Sequence, residues 1–246
     1  MWFTTTRRAA RTAGRKPVVG DGPAKWLGGF TGYLQADAYG GYDGIYHGQG
    51  VTEVACWAHA RLKFYDAQDS DGKRAAQMLA LIGQLYSIER EAKAAALEET
   101  AMIELRRERS VPVMAQIKSW LDTEGDVVLP RSPMGQAITY ARNQWIALNA
   151  YVTQGFLAID NNASERALKR VAIGRKNWLF AGNDAAAENA ARLWSLIASC
   201  DRHKLDPQRY LTSVFAKIGQ TPREELSQFL PDVWSKENAA EPQPAE

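Results

Sequence analysis

Between residues 73 and 154 the chain offers almost nothing but helix, so any fold must carry that block between two pieces of different character. Ala75, Ala76, Met78, Leu79, Leu81, Ile82, Leu85, Tyr86 and Ile88 recur at the spacing of a helix that buries one face. A second helix is predicted over 98–121, interrupted near Pro112, whose nitrogen carries no hydrogen for the helical ladder. A third is predicted over 134–153, after a linker at 125–133 marked by Pro130 and Pro133.

The flanks read as mixed structure. Tyr33-Leu34-Gln35-Ala36-Asp37 alternates and predicts a strand ending at an acid. The Gly- and Tyr-rich stretch 38–50 predicts a turn or short helix and then a loop. Residues 51–56 predict a second strand, with Val51, Val54, Ala55 and Cys56 apolar, and 57–67 a helix. Beyond the block, 156–159 predicts a short strand, 161–175 a helix, 174–180 a turn and strand, and 188–199 and 207–218 amphipathic helices. The fold class expected is α/β, mostly helical, with a large all-helical insertion and C-terminal helices. Both ends are expected to be disordered. Residues 1–20 carry Arg7, Arg8, Arg11, Arg15 and Lys16 with no hydrophobic period, and a basic arm on DNA phosphates is the sharper reading. The tail 235–246 holds Glu, Ala and two prolines.

Bulk properties exclude more than they assign. A net charge of +2 over 246 residues is too mild to argue for nucleic acid unless the basic residues are clustered. Two cysteines, Cys56 and Cys200, make no disulfide framework. No apolar run approaches the roughly 18 residues that span a bilayer, and the N-terminus has no signal-peptide core. A soluble cytoplasmic protein is the default expectation.

Chemistry concentrates in 155–182. Asp160-Asn161-Asn162-Ala163-Ser164-Glu165-Arg166 crowds carboxylates and amides onto the start of a helix, with Asn161 and Asn162 on the face of Glu165 and away from Ala163, Ala167 and Val171. Read locally, Asn162-x-x-Glu165 is a capping box, each side chain meeting an orphan amide. The bases Arg166, Lys169, Arg170, Arg175 and Lys176 beside one carboxylate also suit phosphates approaching a metal, although a solvated helix face is the commoner outcome. Asp37, at a strand end before a Gly-rich loop, suits a metal ligand or a turn, and its partner would be Glu165. Cys56-x-x-His59 and Cys200-x-x-His203 formally supply a zinc set, but separate buried roles fit each cysteine better. The P-loop, nucleophile-elbow and zinc-protease motifs are absent.

Several motifs in order resemble one family. They are Leu34 to Tyr42 (LQADAYGGY), Cys56 to Arg61 (CWAHAR), Ala141 to Trp145 (ARNQW), Ile159 to Asn162 with Glu165-Arg166, Gly174 to Gly182 (GRKNWLFAG), and Ser195 to Ile197 with Cys200, Asp206-Pro207 and Tyr210-Leu211. Together they resemble the transposases of the insertion sequence 66 family, over about Asp21 to Trp234. The resemblance implies a partial RNase H-like fold with an Asp-Asp-Glu site. In it, 21–72 and 155–182 form the catalytic core, 73–154 the helical insertion and 183–234 a C-terminal helical region. Asp37 and Glu165 match the second aspartate and the glutamate, ligands for Mg²⁺ or Mn²⁺. Arg166, Lys169, Arg170, Arg175 and Lys176 fall to DNA binding. Cys56, His59, Asp160, Asn161 and Asn162 support the site. The implied partners are DNA (element ends and target) and a second copy or other transposition proteins. The family's first aspartate lies upstream of the matched region. That implies an N-terminally truncated copy, with DNA strand cleavage and transfer incomplete in this chain alone; the alternative is a non-catalytic DNA-binding or interfering remnant.

Overall fold

A short parallel pair of strands starts the described architecture. In this computed structural model residues 25, 27–38, 42–47, 50–178 and 180–238 are described. Strand β1 (Gly32–Gln35) pairs in parallel with β2 (Val51–Val54), Gly32 opposite Val51 and Gln35 opposite Val54. A parallel pair needs a crossover, and the connection holds one helical turn, α1 (Asp43–Tyr46). The predicted strand was longer. Past Gln35 only the Ala36 amide still reaches β2, at Val54 O, 3.1 Å.

Cys56, extended and at the N-cap, leads into α2 (Trp57–Asp66), which buries Trp57, Ala60 and Phe64. The insertion follows as α3 (Gly72–Ala94), α4 (Glu99–Leu105), α5 (Val111–Gly125), α6 (Pro133–Asn143) and α7 (Trp145–Asn149), with a 3₁₀ turn at Ala150–Thr153. The Asp71 carboxylate caps α3 and the Ser132 hydroxyl caps α6. On α3 the buried stripe is Ala75, Met78, Ile82, Leu85, Ile88 and Ala92, much as the spacing predicts. Helices α3 and α6 both pack on α2, and α5 packs on α3 and α6. One core runs through Val54, Trp57, Phe64, Ile82, Ile117, Ile138, Leu148 and Ile159. The insertion is therefore continuous with the strands' core, not an appendage on it.

The interruption expected near Pro112 is a π-helical turn, Arg106–Ser110, between α4 and α5. Pro112 sits in the first turn of α5, where a missing amide hydrogen does least harm. The wider turn keeps the axis helical while absorbing the proline.

Two expectations fail after the insertion. Residues 156–159 form no strand; they run as turn and coil. The predicted turn and strand at 174–180 is helix as far as Trp178, because α8 spans Asn162–Trp178. On α8, Ser164 is buried and Glu165 half-buried, while Ala163 and Ala167 are exposed, so the polar face turns inward.

The chain divides into two compact units, Met1–Arg166 and Ala167–Glu246. Within the second, α9 (Asp184–Arg202) packs with α10 (Pro207–Ile218) and with α11 (Pro231–Glu237), around Cys200, Tyr210, Val214, Phe229 and Trp234. A 3₁₀ segment, Arg223–Phe229, joins α10 to α11. Residues 1–20, and the tail beyond Asn238, lie outside the described residues. Among the described residues no helix is long and apolar enough to cross a membrane.

Candidate active site

Asp37 and Glu165 are positioned by different elements, Asp37 after β1 and Glu165 in the first turns of α8. Asp37 follows β1 directly, and Ala38 after it takes a left-handed conformation, φ 58°. A non-glycine residue there costs about 1–2 kcal/mol, so the sharp turn after the aspartate is held by its surroundings. Two residues before Asp37, buried Gln35 donates from Nε2 to Ala158 O at 2.9 Å. The Trp57 amide donates to Ile159 O, 3.1 Å, and the Ala55 amide to Ala147 O, 3.0 Å. Trp57 Nε1 adds a bond to Leu148 O, 3.0 Å. The segment 155–160 is thus strapped to the strand pair without being a strand itself.

Asp160 starts α8. Its Oδ1 accepts from the Asn162 amide at 3.1 Å, and its Oδ2 accepts from Asn162 Nδ2 at 2.7 Å and from Tyr86 OH at 3.0 Å. The capping box does not form. Asn162 is the first helical residue and turns back on Asp160, which leaves Glu165 free to face α2. Burial, and next to it the Asp160 charge, push the Tyr86 phenol well above its usual range, so it stays a donor.

Glu165 meets His59, with Nε2 to Oε1 at 3.3 Å and both side chains partly exposed. The pair is close but not aligned as a hydrogen bond, and Glu165 Oε1 is buried without such a partner. The same is true of Asp37 Oδ1, Gln35 Oε1, His59 Nδ1 and both side-chain polar atoms of Asn161. Buried polar atoms without partners are rare in proteins, and here several belong to the residues singled out from the sequence. Cys56 is fully buried beside them; burial pushes its thiol up to about 11, with the backbone amides of Asn161, His59 and Ala58 pulling the other way. It is a packed apolar group rather than a nucleophile or a ligand.

Carboxylate oxygens such as Asp37 Oδ1 and Glu165 Oε1, neither of them in a hydrogen bond, are the ligand type that a hard divalent cation such as Mg²⁺ or Mn²⁺ takes. Among the described residues, no three His, Cys, Asp or Glu side chains are gathered to hold a metal ion, so neither a closed carboxylate trio nor the formal Cys₂His₂ set is assembled. Of the basic run, Arg166 is exposed in the first unit, and Lys169 and Lys176 are exposed in the second. The side chains of Arg170 and Arg175 lie outside the described set.

Sequence reasoning missed Arg106. Its buried guanidinium donates to both oxygens of Glu89 (2.8 and 2.7 Å), to Tyr151 O (2.7 Å), Gln154 O (2.8 Å) and Leu157 O (2.8 Å). With Tyr86 it ties the insertion to the segment that leads into α8. A signal existed: counting back by helical steps from Ile117 and Val113 through Ser110 lands on Arg106, a charge in an apolar register.

A family model described as the IS66 transposase family matches residues 7–189, and one described as the IS66 C-terminal element matches 195–231. The first begins ahead of Asp21, where the resemblance was expected to start. The chain is similar to two uncharacterized proteins of Sinorhizobium fredii (strain NBRC 101917 / NGR234). It is 32% identical to y4hP over 90% of this chain and 43% of that protein, and 34% identical to y4jD over 87% and 43%. It therefore spans less than half the length of these curated relatives. No solved structure matches it. With family models matching residues 7–189 and 195–231, the chain belongs to the IS66 transposase family.

Proposed function

We propose that the chain supplies the Asp37 and Glu165 side of a metal-dependent DNA strand-transfer site, on part of an RNase H-like core. The observation that carries this is the pair of buried carboxylate oxygens, Asp37 Oδ1 and Glu165 Oε1, left without hydrogen bonds. A buried carboxylate oxygen without a hydrogen bond costs roughly 1–3 kcal/mol, a cost that a bound cation would offset. The parallel strands, with an aspartate at the exit of β1 and a glutamate on a helix strapped to the same strands, support an RNase H-like reading of this part of the chain.

Asp37 and Glu165 would hold Mg²⁺ or Mn²⁺. Bound there, such an ion would supply activation of a water or a DNA 3′-hydroxyl and stabilisation of the leaving oxygen. His59 orients the Glu165 carboxylate, and Asp160, held by Tyr86 and Asn162, fixes the first residues of α8. Arg166, Lys169, Arg170, Arg175 and Lys176 would meet phosphates of the element ends or the target.

Mn²⁺ titration of the whole protein, followed by electron paramagnetic resonance with DNA present, tests the assignment. Asp37→Asn and Glu165→Gln are each expected to weaken Mn²⁺ binding about tenfold, roughly 1.4 kcal/mol, and to abolish any nicking of DNA carrying the element ends. Unchanged Mn²⁺ affinity in both variants overturns it. DNA binding that persists without metal-dependent nicking in the unmodified protein points instead to a non-catalytic DNA-binding role.

A further inference from the structure

We infer that a cleft between α2 and α3, at the first turn of α8, seats one phosphodiester of the DNA strand between Arg61 and Arg90. The cleft measures about 450 Å³. Ala58 and Arg61 line it from α2, Leu79, Gly83, Tyr86 and Arg90 from α3, and Asn162 from α8. This deepens the strand-transfer reading and rests on it, because Asn162 stands one helical turn before Glu165.

Charge balance is the first argument. Both arginines are exposed, and among the described residues neither has an ion pair, whereas Arg74, Arg106 and Arg109 each hold a carboxylate. No acid lines the cleft. The nearby carboxylate, Asp160, is occupied by Tyr86 and Asn162. Two guanidinium groups facing one concavity repel each other until an anion sits between them, and their planar forks match phosphate oxygens. Such a contact carries no base information; it sets the register of the strand.

Gly83 is the second, independent argument. It lies in the middle of α3, where glycine weakens a helix relative to alanine. No neighbour demands it: an added Cβ would meet nothing within 4 Å, and its φ is not positive. The missing side chain does one visible thing, which is to keep the cleft open.

The test uses the whole protein in EDTA, so that metal binding and cleavage play no part. Binding to a fluorescein-labelled DNA duplex is followed by anisotropy over a salt series. Arg61→Gln and Arg90→Gln are each expected to weaken binding about tenfold and to lower the salt slope by about one. The double variant should lower it by no more than about one, because both grip a single phosphate. Arg131→Gln, an exposed charge outside the cleft, should leave the slope unchanged. Gly83→Leu should raise the melting temperature while weakening DNA binding about tenfold, and it carries the test if the arginine variants fail to fold. Wild-type affinity and slope in the double variant, or an equal loss in Arg131→Gln, overturn the inference. Loss of Mn²⁺ dependence on Asp37 and Glu165 with these DNA results intact would sink the strand-transfer reading and leave the cleft standing.

Discussion

At the scale of single residues, burial decides which of several plausible chemistries each side chain retains. Cys56 and His59 are spaced like a metal pair, yet the thiol is fully enclosed and His59 is turned to Glu165. The raised thiol has a consequence for stability. Its folded value of about 11 exceeds the ordinary 9.0, so the folded chain holds this proton more tightly than the unfolded one. The stabilisation is complete below pH 9.0 and is lost as pH rises toward about 11. Melting temperatures measured across that window should fall more for the wild type than for Cys56→Ala. At pH 8 the native protein should resist alkylation by iodoacetamide at Cys56, and mass spectrometry of the digested protein reads that directly. Asn162 and Glu165 show the same dependence on surroundings. The capping box was the better local reading, and it fails because Asp160 takes the amide of Asn162 first.

At the scale of elements, the helices were legible because they are amphipathic over many turns. The stripe on α3 and the Pro207 start of α10 follow from spacing and from a proline in the first helical turn, two signals that need no tertiary partner. The segment 155–160 was not legible, since its apolar residues serve docking and not strand pairing. Arg106 is the clearest case of an element-level role hidden from pattern. From a π-helical turn it gathers the backbone carbonyls of Tyr151, Gln154 and Leu157. Arg106→Met should destabilise the protein by about 3–5 kcal/mol, because it strands Glu89 and those carbonyls in a dry interior. Urea denaturation measures this. Arg106→Lys should recover little, since an ammonium cannot reproduce the planar fork.

At the scale of the whole molecule, the chain divides into two compact units, Met1–Arg166 and Ala167–Glu246, each with a core of its own. The insertion and the strand pair share one core, so residues 73–154 belong to the first unit and not to a module of their own. The second unit depends on few aromatic residues. Trp234 lies against Tyr210, centroids 5.6 Å apart and rings nearly perpendicular, and Tyr210 OH donates to Phe229 O at 2.6 Å. Trp234→Ala should cost about 3–5 kcal/mol and speed amide exchange at Tyr210 and Val214, followed by hydrogen–deuterium exchange.

By itself the sequence determined the helical block, the strand ends at which an acid can stand, and the family, because periodicity and ordered motifs are local properties of the chain. Asp37, Glu165 and His59 were all named from it. Only the tertiary structure decided that Glu165 turns inward to His59, that Asp160 takes the amide of Asn162, and that Arg61 and Arg90 share a cleft. Each of these depends on which distant segment supplies the partner. Hydrogen-bond satisfaction and charge pairing across residues far apart leave no periodic trace in the chain.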